Sequence, residues 1–152
     1  MSETGRFVYR GTTHGWPWNP VLQRDRRTCA TTDPLVATLF AIECLQHGSS
    51  AVLIASLEDF DGLIGPTNHA AIAESEVVLN LPPLDFARRA SLEIDAQRSR
   101  DILVDMGFDR LPVRIGGKSA LRDSINQSYN DGDRLSPDQI QEFNRRAMET
   151  SS

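Results

Sequence analysis

The stretch RTCATTDPLVATLFAIECLQHG, residues 27–48, joins a polar extended segment to an apolar helix. Its threonine-rich start predicts a short strand over residues 27–32. Asp33 can cap the free amide groups of a helix, and Pro34 suits the first helical turn. We predict that the helix ends before Gly48. Apolar residues lie on two sides of this helix, so it should be largely buried.

Further β-favouring segments lie on either side of this strand–helix unit. Residues 7–9 predict the first strand, and residues 51–57 predict a strand that is buried on both faces. Residues 76–81 predict another strand, which Pro82 and Pro83 would end. These segments predict a β-rich first part of the chain, with one buried helix.

The last sixty residues carry mainly helical patterns. Apolar spacing favours helices near residues 102–106 and over residues 118–128, and a capping box at residues 136–139 begins the last helix. Residues 92–95 alternate like a half-buried strand, although their surroundings favour helix. Residues 111–115 predict a short strand.

Length and composition are those of one globular domain. A chain of 152 residues, 39% of them hydrophobic, can bury about 70% of the surface that it exposes when unfolded. We therefore predict an α+β fold and a single domain over residues 1–152. Residues 7–90 would form its core, and residues 91–152 a mostly helical C-terminal part.

The charge and hydropathy patterns exclude some classes of partner. The net charge of −5 argues against general nucleic-acid binding and against binding to anionic membranes. No apolar run approaches the roughly 20 residues that span a bilayer. Residues 1–6 are polar and lack the apolar centre of a signal peptide, so a cytoplasmic location is expected.

The two cysteines, Cys29 and Cys44, form no CxxC motif and share no zinc-ligand spacing with histidine. We therefore predict no metal site. Both thiols are expected to be reduced, small and buried. One disulfide in a secreted protein is the alternative.

Candidate functional residues occur in three features along the first ninety residues. Arg10 ends the first strand, the threonine-rich strand 28–32 runs into the buried helix, and Glu74 and Glu76 begin a later strand. Period-two spacing places these glutamates on one side of an extended chain, where like charges raise the proton affinity of one. The alternative is a pair of ordinary solvent-facing glutamates.

In this order, Tyr9-Arg10-Gly11, the strand 28–32 and Glu74-Ser75-Glu76 resemble the motifs of the Arg–Ser–Glu branch of ADP-ribosyltransferases. That branch has an arginine on its first strand, a Ser-Thr-Ser strand leading into a helix, and a Glu-x-Glu motif. The resemblance covers about residues 7–90. It implies mixed or antiparallel sheets with flanking helices, and NAD as a substrate.

The resemblance also implies roles for individual residues. Glu76 would stabilise the oxocarbenium-like ribose and hold its hydroxyl. Arg10 would clamp the phosphates with its fork of donors. Thr31 would orient the carboxylate, with Thr28 and Thr32 as close alternatives.

Other residues would complete the site. Glu74 would steer or activate the acceptor. Gly11 and Thr12 are expected beside the cofactor, with the backbone around Gly11 holding the nicotinamide amide. Trp16 or Trp18 would cover the site.

We therefore predict an enzyme, either an NAD-dependent mono-ADP-ribosyltransferase with a protein or small-molecule acceptor, or an NAD glycohydrolase. One alternative is a non-catalytic nucleotide- or peptide-binding module on a similar fold. Another is a structural or partner-binding domain without a small-molecule site. The enzyme hypothesis requires Arg10, Thr31 and Glu76 to converge on one cleft, and it fails if Glu76 points away from Arg10 across the sheet.

Overall fold

A computed structural model of the chain describes residues 6–13, 27–65 and 75–150. These ranges contain five α-helices and six strands, which confirms the predicted α+β fold. The strands are β1 (Phe7–Thr13), β2 (Thr28–Thr31), β3 (Ser50–Ser56), β4 (Ile64–Gly65), β5 (Glu76–Leu79) and β6 (Leu92–Asp95). The helices are α1 (Pro34–Cys44), α2 (Pro83–Arg89), α3 (Ala96–Asp105), α4 (Lys118–Asn130) and α5 (Pro137–Thr150).

The strands form one sheet in the order β4-β5-β2-β1-β3-β6, and each described pairing is antiparallel. β1 pairs with β3 along its whole length, from Phe7 opposite Ser56 to Thr13 opposite Ser50. Within the described strands, β1 and β2 are paired only at Tyr9 and Thr31. The sheet therefore consists of two ribbons that meet at this one pair.

Each face of the sheet covers a separate hydrophobic cluster. Tyr9, Val52 and Ile54 pack on the face that carries α1, α3, α4 and α5. Val8 and Leu53, which alternate with them, pack on the other face against α2 and the 3₁₀ turn Leu57–Phe60. This alternation explains why β3 is buried on both faces, as its continuous apolar run predicts.

Helix α1 begins and ends close to the predicted positions. The Asp33 side chain accepts a hydrogen bond from the Leu35 amide at 2.9 Å, and Pro34 occupies the first turn. After Cys44 the chain continues as a 3₁₀ turn to His47. Gly48 then adopts a φ of 128°, which only glycine adopts readily.

The C-terminal part differs from the sequence prediction at two places. Residues 92–95 form β6, which pairs with β3 at the edge of the sheet, so their alternation is that of a strand. Residues 111–115 form no strand, and that prediction is wrong. Arg100 donates to the carbonyl oxygens of Leu111 and Pro112, so a side chain satisfies polar groups that a neighbouring strand would otherwise satisfy.

Across the ranges given above, no helix has both the length and the apolar character needed to cross a membrane.

Candidate functional site

A cavity lies where α1 crosses the junction of β1, β2 and β5. It encloses about 490 Å³ of space between atoms, including the part that opens to solvent. The lining residues are Tyr9, Arg10, Gly11, Cys29, Ala30, Thr31, Val36, Ala37, Phe40 and Glu76.

Three residues face the cavity in a row across three strands. Tyr9 is registered with Thr31, and Thr31 with Glu76, so their side chains leave the same face of the sheet. Tyr9 is fully buried, and its hydroxyl donates to Asn144 Oδ1 at 2.6 Å. Burial raises the pKa of Tyr9 strongly. Tyr9 thus remains a neutral, fixed part of the cavity floor.

Glu76 contributes a buried carboxylate oxygen to this row. Oε2 has no hydrogen-bond partner, and within the described ranges it is the one buried side-chain polar atom in that condition. Leaving a buried acceptor unsatisfied costs about 1–3 kcal/mol, and more for a charged group. Native proteins retain few such atoms, and a catalytic or binding role is a common reason.

A closed cycle of hydrogen bonds lies beside Glu76. Thr31 Oγ1 lies 2.6 Å from Ser75 Oγ, and Ser75 Oγ lies 3.1 Å from the Tyr129 hydroxyl. Tyr129 also hydrogen-bonds to the Asp33 carboxyl group. The Asp33 amide donates to Thr31 Oγ1 at 3.1 Å and closes the cycle. We call these four residues the polar cycle.

Asp33 is the member of the polar cycle that carries a carboxyl group. Burial raises the pKa of its carboxyl group to about 6, and the hydrogen bond from the Leu35 amide opposes this rise most. The charge of Arg134 and the hydrogen bond from Tyr129 oppose it further. The Arg134 guanidinium lies 3.9 Å from the centre of the Tyr129 aromatic ring, so it contacts two members of the cycle electrostatically.

Arg10 lines the same cavity as Thr31 and Glu76, but its side chain starts from the other face of the sheet. It follows Tyr9 along β1, so its Cβ is directed to the opposite face from Glu76. Its Nη1 donates to the Cys29 carbonyl at 2.7 Å, where β1 and β2 are no longer paired. Arg10, Thr31 and Glu76 thus line one cavity, but Arg10 and Glu76 leave opposite faces of the sheet, and the guanidinium reaches the cavity at its rim.

Neither cysteine forms a disulfide, and the surroundings of the two thiols differ. Cys29 is exposed, so the prediction that it is buried is wrong. It alternates with Thr28 and Ala30, which are buried on the opposite face, and it lines the solvent-open cavity. Cys44 is half-buried, and burial, with the neighbouring Glu43, raises the pKa of its thiol.

Three other residues assigned to the site by resemblance do not line the cavity: Thr12, Thr28 and Thr32. Thr28 is fully buried, and its hydroxyl donates to the Leu81 carbonyl at 2.8 Å, which ties β2 to the chain after β5. The Thr32 hydroxyl contacts the Ser75 carbonyl at 3.5 Å. Of the threonines in this strand, Thr31 is the one that reaches the cavity.

The predicted acceptor residue Glu74 and the predicted covering residues Trp16 and Trp18 lie outside the described residues. Their roles stay predictions.

Several residues around the cavity were not singled out as functional from the sequence. Val36 and Phe40 form part of its apolar wall. Their four-residue spacing, which places them on one side of α1, was the sequence signal that could have marked them. Ser75 lies inside the Glu-x-Glu motif, and Asp33 was assigned only as a helix cap. Tyr129 comes from a helix about fifty residues further along the chain, and no local pattern marks it.

Among the described residues, no group of three or more histidine, cysteine, aspartate or glutamate side chains is placed to hold a metal ion. No protein-family model, curated protein or solved structure matches the chain, so the functional inference rests on the geometry of the cavity.

Proposed function

We propose that the chain cleaves the N-glycosidic bond of NAD and transfers ADP-ribose to water or to another acceptor. The observation that carries the proposal is the Glu76 carboxylate oxygen, buried without a partner in the wall of a cavity. A carboxylate held in this way can accept a hydrogen bond from a ribose hydroxyl. It can also stabilise the positive charge that develops on the ribose.

The reaction needs no redox step. The bond between C1′ and the pyridinium nitrogen breaks, and its electron pair neutralises the nicotinamide. The acceptor oxygen or nitrogen then forms a bond to C1′ and releases its proton to solvent or to a nearby base. The acceptor can be water, a protein side chain or a small molecule, and water would make the reaction an NAD hydrolysis.

The walls of the cavity suit the nicotinamide end of the substrate. Val36, Ala37 and Phe40 present an apolar surface from α1, opposite the strands. Such a surface packs against a flat aromatic ring and limits the access of water to the reacting bond. A low local dielectric also strengthens the attraction between Glu76 and the developing cation.

Arg10 suits the diphosphate from the rim. Its guanidinium is always charged and presents several donors in a fixed plane, which matches phosphate oxygens. Within the described lining, Arg10 supplies the positive charge and Glu76 the negative charge. This separation of charges matches a dinucleotide whose phosphates are anionic and whose reacting ribose becomes cationic.

The proposal is tested by calorimetric titration with NAD and by chromatographic measurement of nicotinamide release. We compare the wild type with Glu76→Gln and with the matched control Glu58→Gln, since Glu58 is exposed and does not line the cavity. We expect Glu76→Gln to bind NAD while its nicotinamide release falls about 100-fold or more, as for loss of a transition-state contact. Glu58→Gln should behave as the wild type. Absence of NAD binding at millimolar concentration would overturn the proposal.

One observation favours a second candidate, a nucleotide-binding module without turnover. Arg10 and Glu76 leave opposite faces of the sheet, so the two charged side chains do not converge from one row of the strands. Binding of NAD without release of nicotinamide would select this candidate. Loss of that binding in Arg10→Ala would then place a phosphate at the rim.

A further inference from the structure

We propose that Tyr129 is a positioning residue, which keeps the Glu76 carboxylate available by engaging the hydroxyl groups that would otherwise bond to it. The inference deepens the proposed function and rests on it for the identity of the ligand. It rests on the geometry of the polar cycle for everything else.

The protons of the polar cycle can be assigned one by one. The Asp33 carboxylate can only accept, so the Tyr129 hydroxyl donates its proton to Asp33. Tyr129 therefore accepts from Ser75 Oγ, and Ser75 accepts from Thr31 Oγ1, which in turn accepts from the Asp33 amide. Each hydroxyl donates once and accepts once, which satisfies its main hydrogen-bonding capacity.

This assignment leaves no hydroxyl proton for Glu76. Thr31 lies directly opposite Glu76 across β2 and β5, where Cβ atoms are about 4.5–5.5 Å apart. Its hydroxyl is therefore a donor that rotation about the Cα–Cβ bond could redirect toward the carboxylate. The bond to Ser75 prevents this, and Glu76 Oε2 stays unpartnered.

Removal of the Tyr129 hydroxyl would reverse the direction of the remaining bonds. Ser75 would lose its acceptor and donate instead to Thr31 Oγ1, which has a second lone pair. Thr31 would then donate to Glu76 Oε2. The carboxylate would gain an internal partner in the free protein, and a ribose hydroxyl would have to displace it.

The fold holds Tyr129 in place from two sides. The Arg134 guanidinium covers its aromatic ring at 3.9 Å, and the Asp33 carboxyl group binds its hydroxyl. Asp33 is itself fixed, because it caps α1 through the Leu35 amide. The end of α4 is thus connected to the β2–α1 turn next to the cavity.

The test uses Tyr129→Phe, which keeps the aromatic ring, and the double variant Tyr129→Phe with Thr31→Val, which also removes the competing donor. Ser99→Ala is the control, because it removes another buried hydroxyl bond, to Thr38 of α1, away from the cavity. The readouts are nicotinamide release and the ¹³C chemical shift of the Glu76 carboxyl group in the ligand-free protein at neutral pH.

We expect the Glu76 carboxyl shift to move in Tyr129→Phe and to return toward the wild-type value in the double variant. Turnover should fall on the order of tenfold in Tyr129→Phe, the effect of one hydrogen bond to a charged group, and rise again in the double variant. A merely structural role would make the double variant the less active of the two. Ser99→Ala should change neither the shift nor turnover.

The outcomes separate this inference from the proposed function. An unchanged Glu76 carboxyl shift in Tyr129→Phe would overturn the inference, whether or not the protein acts on NAD. The expected pattern of shifts in a protein that releases no nicotinamide would support the role of Tyr129 and overturn the NAD reaction. A double variant less active than Tyr129→Phe, in an active protein, would also overturn the inference.

Discussion

Gly11 on β1 lies so close to Ala37 of α1 that a Cβ placed on the glycine would be 2.3 Å from the Ala37 carbonyl oxygen. The same Cβ would be 2.4 Å from the Ala41 amide nitrogen. These are backbone atoms of a buried helix, which cannot move aside as a flexible side chain could. The close packing of α1 on β1, and with it the shape of the cavity, therefore depends on the absence of a side chain at residue 11.

Gly11→Ala should destabilise the protein by about 2–3 kcal/mol, because the helix and strand must separate to admit the methyl group. Urea unfolding followed by circular dichroism measures this change. Gly116→Ala is the matched control, since a Cβ at Gly116 meets no atom within 4 Å. Equal stabilities for the two variants would contradict the close contact between α1 and β1.

Asp33 should make stability depend on pH in a distinctive direction. Its pKa rises from 3.8 to about 6 on folding, because burial disfavours the charged form. The folded protein therefore binds the proton more tightly than the unfolded chain does. This contribution to stability is complete below about pH 4 and is lost as the pH rises through about 6.

Asp33→Asn tests this dependence, because asparagine can still cap α1 but does not titrate. The free energy of unfolding of the wild type relative to the variant should fall by up to about 3 kcal/mol between about pH 4 and 7. Urea unfolding at a series of pH values measures the difference. A wild type that gains stability relative to the variant over this interval would refute the proposed effect of burial.

Glu76→Gln should be at least as stable as the wild type, and we expect a gain of about 1 kcal/mol. The substitution replaces a buried, unpartnered charged oxygen by a neutral amide, which costs less to bury. Urea unfolding measures the gain, and Glu58→Gln should lie within about 0.5 kcal/mol of the wild type, as surface substitutions do. A clear loss of stability in Glu76→Gln would mean that the carboxylate holds the fold together.

Cys29 should react with iodoacetamide faster than Cys44. Cys29 is exposed on the cavity wall, while burial raises the pKa of the half-buried Cys44 and reduces its thiolate fraction. Peptide mass spectrometry over time measures both rates, and Cys29→Ser should remove the fast component. NAD should slow the reaction of Cys29 and leave that of Cys44 unchanged, whereas equal slowing at both thiols would contradict binding in this cavity.

Much of the fold follows from local patterns in the chain. The Asp33-Pro34 cap and the apolar run after it define α1, and a continuous apolar run defines β3. The strand predicted over residues 111–115 is absent, and the Arg100 side chain binds the carbonyl oxygens of Leu111 and Pro112 there. Local pattern cannot anticipate such a partner, since a side chain on another element supplies it.

The sequence by itself determined which residue types are available: an arginine after the first strand, hydroxyls before α1 and a glutamate at the start of β5. Only the tertiary structure decided which of them meet. The register of β1, β2 and β5 places Tyr9, Thr31 and Glu76 in one row and sends the Cβ of Arg10 to the opposite face. It also brings Tyr129 from α4 to Ser75, a contact between residues 54 positions apart. Strand register and helix packing set these distances, because they depend on how whole apolar faces fit together.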